Sequence, residues 1–147
     1  MSIATPRLAL IAERLKMQAP SLLDVGLAAD LAAAGDAVPR SPAAYVLPTG
    51  GTFSSDKVTG LIRQLETISF AVLIGFSNAG RDGARGIAEH EEVRDEVLDA
   101  LMGFKPAGAQ SAIQAKRQQL TAFDGKVQRL WWNITFTFDH MHRKETA

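Results

Sequence analysis

The sequence predicts an α+β protein: a mixed, mostly antiparallel β-sheet with helices packed on one face and a long C-terminal β-hairpin. Three observations carry this. Apolar residues alternate with period two over Ile68–Phe76 and again over Trp132–Phe138, as half-buried strands require. Two other segments repeat their apolar residues at helical spacing. An Asp124-Gly125 dipeptide, suited to the positive φ angles of a tight turn, separates two strand-like runs near the C-terminus. With 147 residues, 46% of them hydrophobic, the chain is the right size for one domain over 1–147 with a real core.

The elements follow in order. Thr5-Pro6 is a good N-cap and first-turn pair, and Leu8, Ile11, Ala12 and Leu15 then share a helical face, so a first helix runs to about Met17, ahead of Pro20. Ser21–Gly26 reads as a short strand. Leu27–Ala34, rich in alanine and leucine and stopped by Gly35, reads as a short helix. Ala43–Leu47 is an unbroken apolar run between Pro42 and Pro48, of a length expected for a buried central strand. Thr49–Lys57 has two glycines and no periodicity and is expected to be a flexible surface loop.

From Gly60 to Ser77 the sequence is strand-like, with Ile68, Phe70, Val72, Ile74 and Phe76 on one face. Leu61 and Leu65 fall in the opposite phase, which calls for a β-bulge near Glu66 or for a first half that packs against something else. Ile87, His90, Val93, Val97, Leu101 and Phe104 mark one side of a helix capped by Asp82 and ended by Gly103 and Pro106. Ala112–Phe123 and Lys126–His142 then form the hairpin. A seventeen-residue strand spans roughly 55 Å, against about 40 Å for a globule of this length, so these strands either bend or project. A projecting arm with unpaired edges suits a subunit whose neighbour covers it. Trp131, on the face of Asn133, Thr135 and Thr137, marks either a contact or a cover for its own sheet.

Composition limits the chemistry. Sixteen basic residues balance sixteen acidic ones, so no net field draws the chain to nucleic acid or to an anionic membrane. No cysteine is present, which removes disulfides, thiolate zinc sites and a cysteine nucleophile. No secretory signal or membrane-spanning run is seen, and a soluble protein made in the cytoplasm is expected. His140 and His142 share a strand face near Asp139 and Glu145, the sole spacing suggestive of a metal, as in a small metal-dependent hydrolase, but the remaining ligands are not supplied. His90 lies beside Glu89, Glu91 and Glu92, where a buried structural role competes with that of a general base. The Gly50–Lys57 run lacks the spacing of a phosphate loop, and Ser54 and Ser55 lack a nucleophile elbow. No catalytic residue, cofactor or metal site is assigned.

One pattern spans nearly the whole chain: an N-terminal helix, Leu27-Ala28-Ala29-Asp30-Leu31 leading to Pro39-Arg40-Ser41-Pro42-Ala43-Ala44-Tyr45-Val46-Leu47-Pro48, a polar loop, a long strand, one acidic helix and an Asp-Gly hairpin entering Trp131-Trp132. It resembles the tail-terminator proteins of long-tailed phages and prophages. The resemblance implies a non-enzymatic virion subunit, assembled in the host cytoplasm, that forms a homohexameric ring on the head-proximal end of the tail tube. Its partners would be further copies of itself, the tube protein and a head-completion or neck protein, with genomic DNA passing through the lumen and no membrane involved. A closed ring needs two different complementary patches on each subunit. The candidate positions are Thr49, Gly50, Gly51, Phe53 and Lys57 in the loop, Leu61, Arg63 and Leu65 at the start of the long strand, Asp124 and Gly125 in the hairpin turn, and Trp131. Another neck or tail component, such as a head–tail joining or tube protein, is the alternative. The balanced charge departs from the biased lumen that a DNA conduit invites.

Overall fold

A computed structural model describes residues 7–27, 42–54, 57–58, 60–76, 84–124 and 129–145. The elements are α1 (Arg7–Gln18), β1 (Asp24–Leu27), β2 (Ala43–Phe53), β3 (Lys57–Val58), β4 (Leu61–Phe76), α2 (Ala84–Leu101), β5 (Gln114–Asp124) and β6 (Arg129–Glu145). The strands form one mixed sheet in the order β1-β2-β4-β6-β5, with β3 also paired to β4; β1 and β2 are parallel and the other pairs antiparallel. This is the α+β class that the alternation predicts. The cap at Thr5, the helix expected to follow Leu27, Asp82 and the turn at Gly125 lie outside the described residues.

The core forms because the two periodicities present their apolar sides to each other. Ile11, Ala12 and Leu15 of α1 and Val93, Val97, Ala100 and Leu101 of α2 share one buried cluster with Phe70, Val72, Ile74 and Phe76 of β4 and Ile134, Phe136 and Phe138 of β6. Phe70 stacks on Phe136 at 5.3 Å and meets Phe138 edge-on at 6.1 Å. Arg14 joins the helices by donating from Nε to the Ala100 carbonyl at 2.9 Å while its guanidinium covers the Phe104 ring. Ala43–Val46 are fully buried between β1 and β4, as an unbroken apolar run requires.

Two expectations are corrected. Thr49–Phe53 is not loop but the second half of β2, paired from Gly50↔Ser69 to Phe53↔Glu66. The glycines that make it read as loop have strand-specific roles. Gly50, at φ 116°, takes up the register shift after Pro48, and a Cβ on Gly51 would lie 2.5 Å from the Thr67 carbonyl oxygen. Nor is there a bulge near Glu66: β4 pairs with β6 without interruption from Leu61↔Glu145 to Phe76↔Leu130, and the irregularity lies in β2. Leu61 and Leu65 therefore sit on the sheet face opposite Phe70 and Ile74.

Candidate subunit and tube interface

The candidate residues fall into two places at opposite ends of the sheet. The end of β2, β3, Leu61–Glu66 of β4 and His140–Glu145 of β6 form an arm that, among the described residues, runs past the pairing limits of both outer strands. On one side β1 ends at Leu27↔Val46, and on the other β5 ends at Gln114↔Thr137. The arm thus gathers Thr49, Gly50, Gly51, Phe53, Lys57, Leu61, Arg63 and Leu65. Asp124 pairs with Arg129 at the far end of β6, beyond Phe76↔Leu130, and Gly125 is outside the described residues.

The arm is tied down by short polar contacts rather than by a core. Ser54 donates its N–H to the Leu65 carbonyl and accepts the Leu65 N–H on its hydroxyl, both at 2.9 Å, while the Gln64 amide donates to the Ser54 carbonyl at 3.0 Å. On the same face, Glu66 meets His142 Nε2 at 2.8 Å, and His142 lies against the His140 and Phe53 rings. On the opposite face, Thr67 donates to Asp139 at 2.8 Å. Phe53 is 62% exposed, a large aromatic with little to cover it within the subunit. At the arm's root, Leu8 and Ala9 of α1 face Val46, Pro48, Phe53 and Ile68 across an open, mainly apolar groove of about 720 Å³, with Arg7 and Glu66 at its polar margins. Sequence periodicity does not reveal this groove, because it depends on the packing of α1 beside a segment read as loop.

Trp131 has a different environment. Its ring lies on Gly75, where a Cβ would come within 2.6 Å of it, and 6.3 Å from the Tyr45 ring. With buried Ala43 and Tyr45 it makes a second small apolar cluster on the face opposite the main core. Cover for its own sheet thus accounts for an aromatic among threonines. An exposed Phe53 on a weakly covered arm is the stronger signal of contact.

The described histidines are each engaged locally. His140 Nδ1 is 3.0 Å from the Gly108 carbonyl and His142 is engaged with Glu66; among the described residues no three His, Cys, Asp or Glu side chains are placed to hold a metal. His90 is buried, stacked on Trp132 at 4.1 Å and edge-on to Phe76, with neither ring nitrogen in hydrogen-bond contact. Burial lowers its pKa; the nearby Gln118 side chain, short of hydrogen-bond geometry, opposes this, and the Arg94 charge lowers it further. A neutral ring held in a core is the structural role that its place on the apolar stripe suggests.

The described residues make one mixed sheet whose core two helices share, with a lightly covered arm at one end. The profile of the family described as phage tail terminator protein matches residues 1–146, and the chain belongs to that family, whose role is structural and lies in the virion tail. A chain of a solved structure described as the virion of a native gene transfer agent (GTA) particle has a similar fold, with a TM-score of 0.50 and 18% identity over 91% of this chain and 86% of that one. No curated protein matches the sequence.

Proposed function

We propose that the chain forms, as a single domain, a homohexameric ring that caps the head-proximal end of the phage tail tube. It stops tube polymerisation there and presents a new surface to the head-completion proteins. Family membership supports the terminator role. The observation that carries the physical reading is the arm, whose strands run past their outer neighbours and leave Phe53 exposed. Strands left in this state are costly in a free monomer and useful in an assembly.

In mechanism, the ring binds the polymerising surface of the last tube ring and replaces it with one that cannot accept another. No bond is made or broken; growth stops because the exposed surface is now the wrong shape and hydrogen-bonding pattern for tube protein. The helices back one face of the sheet, β5 and β6 form a hairpin, and DNA passes through the lumen without sequence readout. Assembly takes place in the host cytoplasm, and the product is part of the virion neck.

Tube protein polymerising in vitro, with the chain added at increasing ratios, tests this. The expected result is tubes that shorten with dose and carry the added protein at one end. Tubes that lengthen with the chain incorporated along them would identify a tube protein instead.

A further inference from the structure

Among the described residues the arm has two open edges, and the direction of their backbone groups follows from the pairing. Asp139 donates its N–H to Ser111 Oγ at 2.9 Å and accepts the Gln110 N–H on its carbonyl at 2.7 Å, so its backbone groups point away from β4. Backbone groups alternate in direction along a strand, which makes Met141 and Arg143 the next outward-facing residues on β6, past the end of β5. On the other margin, Ser54 donates to Leu65 of β4. Thr52 shares its direction, and Gly51 and Phe53 point outward past the end of β1. Thr67 agrees with this assignment: its partner Asp139 faces away from β4, so Thr67 must bond on the β2 side, where it meets Thr52.

Both edges therefore offer the same unit, two outward N–H and C=O sets separated by one residue, on opposite margins of one sheet. Among the described residues no strand lies beside either. The body of the sheet is protected differently. Edge strand β5 is broken by register shifts at Ala115/Arg117 and Leu120/Ala122 and carries Lys116 and Arg117, devices that discourage strand addition. The arm edges have no comparable register break beyond Gly50, and the β2 edge opens onto the apolar groove.

Resting on the ring reading above, we infer that the groove-side edge at Gly51 and Phe53 receives the Met141–Glu145 edge of a second copy, extending the sheet from subunit to subunit. The occupant is argued from complementarity. The incoming edge has matching hydrogen-bond spacing, and its Lys144 lies on the same sheet face as Phe53 and Glu66, bringing a cation to the carboxylate at the groove margin. Because the two edges differ, the contact is head-to-tail: each copy gives one edge and receives the other, which generates a ring when the rotation closes. β2 and β6 both run antiparallel to β4, so a neighbour added without reversing the sheet makes a parallel pair. This is strand addition between copies of one chain.

The lack of any native cysteine allows a direct test. Phe53→Cys is mixed with Lys144→Cys, or one pleat earlier with His142→Cys, in the presence of tail-tube ends and under mild oxidation. Covalent dimers are expected from the mixture and not from either variant alone, and a Phe53→Cys with Leu120→Cys mixture, using an exposed site on the protected edge, should give none. Separately, Arg143→Pro removes one outward N–H and spares the pairing with β4. It should leave the unfolding midpoint unchanged and weaken each subunit contact about tenfold, the loss of one hydrogen bond. Rings that form without cross-links at either register, and that tolerate Arg143→Pro, overturn this pairing and leave the ring reading standing. Failure to form rings even with tube ends present overturns the ring reading and this inference with it.

Discussion

The two halves of strands β4 and β6 make the most instructive comparison in the molecule. From Phe70 to Phe76 alternate residues of β4 are sealed beneath α1 and α2, and Ile134, Phe136 and Phe138 of β6 match them across the pair. From Leu61 to Glu66 the same strand, in the same unbroken register, has among the described residues only β2, β3 and β6 beside it, and Arg63 is exposed. Hydrogen-bond pairing is continuous, so backbone geometry does not distinguish the halves; cover does. Hydrophobic burial sets the stability of the body, whereas the arm is held by a polar network and has surface left to offer. Substitutions should therefore separate cleanly: those in the body alter folding, those in the arm alter assembly.

The largest effect is expected at Phe70, which is fully buried and contacts two other phenylalanines. Phe70→Ala should destabilise the protein by about 3–5 kcal/mol, through lost transfer energy and a cavity, read as a fall in the denaturation midpoint. A loss below about 1 kcal/mol would mean that the body is not the stabilising half. Next is Gly75→Val, which drives a side chain into the Trp131 ring. Overpacking of this kind costs roughly 1–3 kcal/mol, and the tryptophan fluorescence should shift as the ring leaves Tyr45.

A third test uses pH. His90 has a pKa depressed from 6.5 chiefly by burial, so the folded state takes up its proton less readily than the unfolded chain. Its contribution is then fully present above about pH 6.5 and is lost as pH falls from there through the depressed folded value. Midpoints for the parent should drop over that interval. His90→Phe should flatten the drop, and an equally steep profile in the variant would assign the pH dependence to other groups. The smallest effect is expected in the arm. Glu66 and His142 are both partly exposed, and Glu66→Gln should change subunit stability by less than about 1 kcal/mol, measured by denaturation of the isolated chain.

The same division explains what can be read from the chain alone. The body strands are legible because burial on one face writes period-two alternation directly into residues 68–76 and 132–138, and α2 because His90, Val93, Val97 and Leu101 repeat at helical spacing. The arm is less so. Its strand at Thr49–Phe53 contains two glycines where a bulge and a close backbone approach require them, and glycine in a sequence signals a loop more often than a bulge. The opposite phase of Leu61 and Leu65 is visible, but whether a bulge or a change of cover causes it depends on pairing with residues about eighty positions away. For the same reason the arm, built from the ends of β2, β4 and β6 with β3, becomes recognisable only once the strands are paired. Trp131 is conspicuous in the sequence, whereas Gly75, which gives its ring a place to lie, is recognisable only across the sheet.

The most direct test of the central claim is electron microscopy of purified tail tubes incubated with the chain, with the mass of the bound species measured in parallel. A six-fold ring of this chain on one end of each tube, with no further growth from that end, is the expected result. Bare tube ends beside a chain that remains monomeric, or continued growth through the added layer, would contradict it.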